Sequence, residues 1–214
     1  MFAGLTDAID PNQLLKSFGT IGLILIIFAE SGLLIGFFLP GDSLLVTAGL
    51  LASAGKLNLA VVLVGCFLAA VIGDQVGYAF GKKVGPSIFK RPNSRLFKHE
   101  HVERANRFFE EHGPKTIVMA RFVPVVRTFA PILAGVGTMP YRTFLAYNVI
   151  GGFLWAVGVT LIGYFLGDAI GPDKIDTYLL PIIGAVILLS LIPPFLEYRK
   201  HRKTQSRPDE TLPD

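Results

Sequence analysis

Apolar residues gather into five stretches, Thr20–Ala54, Leu57–Phe80, Thr116–Met139, Phe144–Leu166 and Tyr178–Leu196, separated by polar and charged segments. A helix needs about 20 apolar residues to cross a hydrocarbon core of about 30 Å. The second, fourth and fifth stretches each suit one crossing. The first is too long for one helix and too short for two with a loop. It holds Glu30, and Leu39-Pro40-Gly41-Asp42 interrupts its middle. Proline lacks a donor and clashes with the preceding turn, and glycine adds a joint. The pattern predicts a re-entrant hairpin over 20–54, broken at Pro40 and Gly41. The third stretch carries Arg121 and Arg127 with Pro124 and Pro131. An arginine at the centre of a spanning helix costs about 2.5–3.5 kcal/mol. Irregular backbone survives at membrane depth only where protein or a watery cavity surrounds it. A second hairpin over 116–139 is predicted, broken at Pro124 and Pro131.

The two hairpins belong to a repeat. Gly77-Tyr78-Ala79-Phe80-Gly81-Lys82-Lys83-Val84-Gly85-Pro86 resembles Gly163-Tyr164-Phe165-Leu166-Gly167-Asp168-Ala169-Ile170-Gly171-Pro172, 86 residues later (163 − 77). At the same offset Gly65-Cys66-Phe67-Leu68-Ala69-Ala70 matches Gly151-Gly152-Phe153-Leu154-Trp155-Ala156, and Ala48-Gly49 matches Ala134-Gly135. Each unit reads as a hairpin followed by a spanning helix. One crossing separates the units, so the second enters from the opposite face. Inverted repeats of this kind place binding sites near the midplane, where broken helices from the two halves meet. The fold class expected is an all-α integral membrane protein: an inverted repeat of re-entrant hairpin plus transmembrane helix, with one more transmembrane helix at the C-terminus.

Composition agrees with a membrane protein. Hydrophobic residues make up 51% and charged residues 17%, against about 25% charged in soluble domains. The mean hydropathy is +0.54. Nine lysines and arginines lie between Lys82 and Lys115, and five more follow Glu197, whereas Asp168–Asp176 holds three aspartates and only Lys174. Basic loops stay in the cytoplasm. The expected order is an N-terminal interfacial segment (1–19), hairpin 20–54, helix 57–80, a cytoplasmic basic loop 82–115, hairpin 116–139, helix 144–166, a C-terminal transmembrane helix within 173–198, and a disordered cytoplasmic tail 199–214. The core unit is 20–172. In the basic loop Val102, Ala105, Phe109 and His112 share one face, as in an interfacial amphipathic helix or a soluble loop helix. The net charge of +4 is a topology signal and does not indicate nucleic-acid binding.

The chemistry lies in the charges within apolar sequence. Glu30 and Asp42 sit in the first hairpin, where burial disfavours a charged carboxylate; that suits a proton carrier. Asp42 also follows the Pro-Gly break, where it could cap the returning half-helix. Arg121 and Arg127 keep their charge and need anions, and the guanidinium fork matches a phosphate or carboxylate. Their alternative role is to neutralise Glu30 and Asp42, towards which apposed hairpins would bring them. Asp74 is an accessory proton site or an interfacial or packing residue. Asn148 is a second accessory candidate; with Trp155, one helical face apart, it more readily braces the second hairpin. Tyr78 and Tyr164 fit an interfacial aromatic belt. Cys66, the lone cysteine, reads as a small apolar helix residue and rules out an intrachain disulfide. The histidines lie outside the apolar stretches, and no Walker A loop, HExxH or nucleophile elbow is present. No metal, cofactor or enzymatic activity is expected.

Phe28-Ala29-Glu30, Phe38-Leu39-Pro40-Gly41-Asp42, Gly73-Asp74 and Gly77-Tyr78 resemble the DedA family. So does Ala120-Arg121-Phe122-Val123-Pro124-Val125-Val126-Arg127-Thr128, with Pro131, Ala134-Gly135, Met139, Phe144, Asn148, Gly151 and Trp155. The likeness runs from Gly19 to Gly171. It implies a bacterial inner-membrane protein related to VTT-domain lipid scramblases. The family's functional acids fall on Glu30 and Asp42, and its functional arginines on Arg121 and Arg127. The family is linked to return of undecaprenyl phosphate to the cytoplasmic leaflet, to membrane-potential maintenance and to proton-dependent transport. The expected partners are therefore an anionic lipid phosphate, protons and membrane lipids, with homo-oligomerisation left open. The leading expectation is a proton-coupled flippase in which Arg121 and Arg127 hold the phosphate while Glu30 and Asp42 exchange protons. The alternatives are a proton-coupled small-solute transporter, a lipid-phosphate enzyme, which lacks a partner nucleophile here, and a scaffold.

Overall fold

The computed structural model describes residues 11–33, 41–90, 107, 109, 111–137, 139–171 and 181, of which 11–18, 86–90 and 124–125 are described by backbone alone. Pro40, Val102, Ala105, the expected disordered tail 199–214 and all of the expected final helix except residue 181 lie outside the described residues. Every regular element described is helical: α1 (Pro11–Gly32), α2 (Gly41–Ser53), α3 (Leu59–Lys90), α4 (Thr116–Ala120), α5 (Pro124–Val136), α6 (Tyr141–Gly152), a π-helical turn (Phe153–Val157) and α7 (Gly158–Ile170).

Two helical runs, Leu59–Gly85 and Tyr141–Ile170, are long and apolar enough to cross a membrane. At about 1.5 Å per residue they exceed the hydrocarbon core. Val61, Val64, Leu68, Ile72 and Val76 form an exposed apolar stripe along α3, and Ile162, Phe165 and Leu166 are exposed on α7. Such faces are stable against lipid, not water. By contrast α2 and α5 have 13 residues each, about 20 Å, and α4 has five; none of them spans that core alone.

Local chemistry accounts for the ends. Asn58 caps α3, its Oδ1 accepting from Val61 N–H at 3.1 Å. Gly55, with φ of +69°, ends α2, and Gly171, with φ of +91°, ends α7; both need the backbone freedom of glycine. Pro124 opens α5 at its first helical position, where the missing N–H costs nothing.

Three expected boundaries change. The helix expected from residue 20 begins at Pro11, so the division between an interfacial 1–19 and a hairpin is not observed. Helix α3 runs through Lys82 and Lys83 to Lys90, because both lysines are exposed and a solvated lysine is a good helix former. Pro131 is no break: it lies inside α5, packed against α3 where a Cβ on Gly77 would stand 3.3 Å from its own Cβ. The second interruption is instead the turn Arg121–Val123 between α4 and α5.

Glycines set how the helices meet. Helix α2 packs on α7, and α5 packs on α3. A Cβ on Gly49 would collide with the Thr160 carbonyl, and one on Gly163 with the Val46 carbonyl. At the other crossing a Cβ on Gly135 would collide with the Tyr78 carbonyl, and one on Gly81 with that of Ile132. Gly49 and Gly135, and Val46 and Ile132, are related by the 86-residue offset. The short helix of each half thus lies against the long helix of the other. Gly32 and Gly73 also bring α1 close to α3, a Cβ on Gly32 standing 2.9 Å from the Gly73 carbonyl.

One core cluster joins Ile27, Leu45, Val62, Cys66 and Trp155, and a second joins Tyr78, Ile117, Ala134 and Phe144, with Phe109 packed against it. Tyr78 is therefore no belt residue. Its ring stacks on Phe144 at 4.5 Å, and its hydroxyl donates to the Met139 carbonyl at 2.9 Å.

Candidate functional site

Helix α5 begins with Pro124, which sets Arg127 in the first turn, its N–H donating to the Val123 carbonyl at 3.0 Å. The guanidinium reaches two carboxylates from different helices. Nη2 donates to Glu30 near the end of α1, and Nη1 to Asp42 Oδ1 in the first turn of α2, at 3.1 Å. Trp155 completes the group from the π turn. Its Nε1 donates to the same Asp42 oxygen at 2.6 Å, and its ring lies 4.7 Å from the Arg127 guanidinium carbon. Glu30 is fully buried and Arg127 is 8% exposed, whereas the Asp42 side chain keeps 30% exposure. Asp42 is the member of this cluster nearest the outside. It sits in the first turn of α2, as a cap would, with its Oδ1 taken by Arg127 and Trp155.

Arg121 belongs to another cluster. It lies in the turn after α4 and donates to Asp74 of α3 and to Asn148 Oδ1 of α6. Asn148 Nδ2 in turn donates to the Val71 carbonyl at 3.1 Å, which fixes the amide orientation. The Arg121 stem rests on Gly151, where a Cβ would stand 3.0 Å from its Cδ. Arg121 and Asp74 are both buried.

The four charged residues expected to share one site are therefore divided. Glu30 and Asp42 both meet Arg127, and Arg121 bonds to Asp74 and Asn148. Asp74 is a deep ion-pair partner, not an interfacial residue. Asn148 bonds Arg121 directly, at the turn between α4 and α5. Trp155 was legible only as a brace; its contact with Asp42 and Arg127 joins residues 113 and 28 positions away, which no periodicity links. The signal available was its position in the repeat, opposite Ala69. The π turn that carries it is an irregularity frequent at functional sites.

The charges do not balance. Three carboxyls, Glu30, Asp42 and Asp74, face two guanidiniums, Arg121 and Arg127. Around Arg127 two carboxyls share one cation. Buried charge without a partner is costly, so this cluster can hold one proton without losing its ion pair. Among the described residues Glu30 Oε2, Arg127 Nε and Ser43 Oγ are buried without a hydrogen-bond partner. The arrangement can exchange a proton, and it can exchange an internal anion for an external one.

The VTT domain matches residues 39–165. Protein DedA of Escherichia coli K12 is 46% identical over 187 residues, covering 86% of this chain and 84% of that protein. An uncharacterised membrane protein of Mycobacterium leprae is 42% identical over 192 residues, covering 89% of this chain and 86% of its own. One of Mycobacterium tuberculosis is 42% identical over 218 residues, covering 96% and 94%. No solved structure matches the chain. With the VTT match spanning more than half its length, the buried charge clusters set between apolar helices are those of a membrane protein of the DedA family, to which this chain belongs.

Proposed function

We propose that this protein is a transporter of the bacterial inner membrane that carries an anionic polyprenyl phosphate, such as undecaprenyl phosphate, between leaflets in exchange with protons. The observation that carries the reading is Arg127: a buried guanidinium held by two carboxylates and an indole, among helices whose outer faces are apolar. A permanent cation at that depth serves an anion. Glu30 and Asp42 occupy it in the resting state. Their protonation releases Arg127, whose fork then takes the phosphate in two-point contact. The polyprenyl tail stays in lipid, so only the headgroup needs the polar path. Arg121, bonded to Asp74 and Asn148, holds the turn that precedes α5 and sets where Arg127 stands.

The exchanged packing of α2 on α7 and of α5 on α3 supports an inverted pair of re-entrant hairpins. The shortness of α2, α4 and α5 supports the same reading. On that topology the basic loop and the C-terminal tail lie in the cytoplasm. The surplus carboxyl supports proton coupling whatever the cargo, so a small anionic solute is the second reading. In either case the cargo leaves chemically unchanged.

The test is transbilayer movement of a fluorescent polyprenyl phosphate in vesicles containing the pure protein, with and without a pH gradient. Movement accelerated by the gradient and abolished in Arg127→Ala is the expected result. Full activity in Arg127→Ala would end the proposal. Proton flux driven by small anions, without lipid movement, would favour the second reading.

A further inference from the structure

Glu30 reaches past Arg127. Its Oε1 takes the Arg127 Nη2 bond, and its Oε2 lies against Gly41, so that a Cβ on Gly41 would collide with the carboxylate. Gly41 is the first residue of α2, a 13-residue helix. The first N–H groups of a helix have no partner within it, and its N-terminus favours an anion. Oε2 is buried in a side chain of 0% exposure and has no hydrogen-bond partner among the described residues. Two more donors are unused among the described residues: Arg127 Nε, on the guanidinium that Glu30 engages, and the hydroxyl of Ser43, two residues after Gly41 in the first turn of α2. A carboxylate thus sits at a guanidinium and a helix start while satisfying fewer donors than are present.

We infer that the Glu30 carboxylate is a built-in stand-in for the headgroup, occupying a phosphate seat between Arg127 and the first turn of α2 that Gly41 keeps open. The inference rests on the transport reading above and adds where the phosphate sits and what holds it out. A phosphate monoester brings three terminal oxygens where Glu30 brings two, so it can engage the donors that Glu30 leaves unused. It cannot enter while Glu30 is charged, because two anions would then share one seat. Neutralising Glu30 removes its claim on Arg127, and the seat becomes available. The charged groups facing Glu30 are Arg127 from α5 and Asp42 from α2; on α3 the acid is Asp74, already bonded to Arg121.

The experiment measures equilibrium binding of farnesyl phosphate, and separately of inorganic phosphate, to the purified protein in lipid nanodiscs at about pH 8. Glu30→Gln keeps the shape and removes the charge. It is expected to bind farnesyl phosphate about ten-fold more tightly than the wild type, the scale of one charge-assisted hydrogen bond. The same gain with inorganic phosphate assigns the seat to phosphate itself, and a gain with farnesyl phosphate alone assigns it to a lipid-borne headgroup; both support the inference. Comparison at one pH matters because the phosphate gains charge near pH 6 on its own account. Gly41→Ala puts a methyl group in the seat and is expected to bind at least about ten-fold more weakly at every pH, the loss of a comparable bond. Wild-type affinity in either variant overturns the inference while leaving transport in place. Failure of the wild type to bind either probe even at about pH 5.5 overturns both.

Discussion

Asp74→Asn tests the buried pair on which the α4–α5 turn depends. Arg121 and Asp74 have side chains only 4% and 6% exposed, so the small energies of surface ion pairs do not apply. Removing one partner of a buried pair costs about 3–5 kcal/mol, because the other charge stays buried. Arg121 would keep the Asn148 Oδ1 bond and a long contact to the Ala70 carbonyl at 3.5 Å, which offset roughly 1 kcal/mol. The expected loss is about 3 kcal/mol. The double variant Arg121→Met/Asp74→Leu removes both charges and keeps most of the volume. It leaves Asn148 Oδ1 without its donor, for about 1–2 kcal/mol. The double variant is therefore expected to be more stable than the single one. Trp155, the only tryptophan and almost fully buried, reports unfolding by its fluorescence as denaturing detergent is titrated into mixed micelles. A single variant as stable as the wild type, or a double variant whose loss exceeds the single's, would refute a desolvated pair.

Trp155→Phe keeps an aromatic face under Arg127 and removes the Nε1 bond to Asp42; polyprenyl phosphate movement in vesicles should fall about ten-fold without loss of folded protein, as for one bond to a charged group. Gly49→Val drives a side chain into the Thr160 carbonyl; unfolding in detergent should come earlier by about 1–3 kcal/mol or more, and Gly135→Val should behave alike at the Tyr78 carbonyl. Tyr78→Phe leaves the Met139 carbonyl without its donor and should cost about 1 kcal/mol in the same titration.

Much of this architecture is legible in the chain itself. Two long apolar runs, two interrupted ones and an 86-residue echo are sufficient to place the long apolar helices, the short helices and the four charges worth attention, because lipid permits few backbone arrangements and charges buried in it need partners. Other features are not legible. Pro131 reads as a break, yet α5 passes through it, because Gly77 on another helix leaves it room. Tyr78 reads as a belt residue, yet Phe144 and the Met139 carbonyl claim it. The partition of the charges is likewise invisible, since Arg121 and Arg127 are six positions apart with the α4–α5 turn between them.

The sequence by itself determined that the chain lives in a membrane and that Glu30, Asp42, Arg121 and Arg127 are expensive residues that each need a partner. Only the tertiary structure decided the answers: Arg127 with Glu30, Asp42 and Trp155, and Arg121 with Asp74 and Asn148. The reason is physical. The cost of a buried charge belongs to the residue and can be read from its surroundings in the chain. The identity of its partner depends on which helices cross, and here glycines at Gly49, Gly81, Gly135 and Gly163 set those crossings by close approach of backbones more than a hundred residues apart in one case and about fifty in the other.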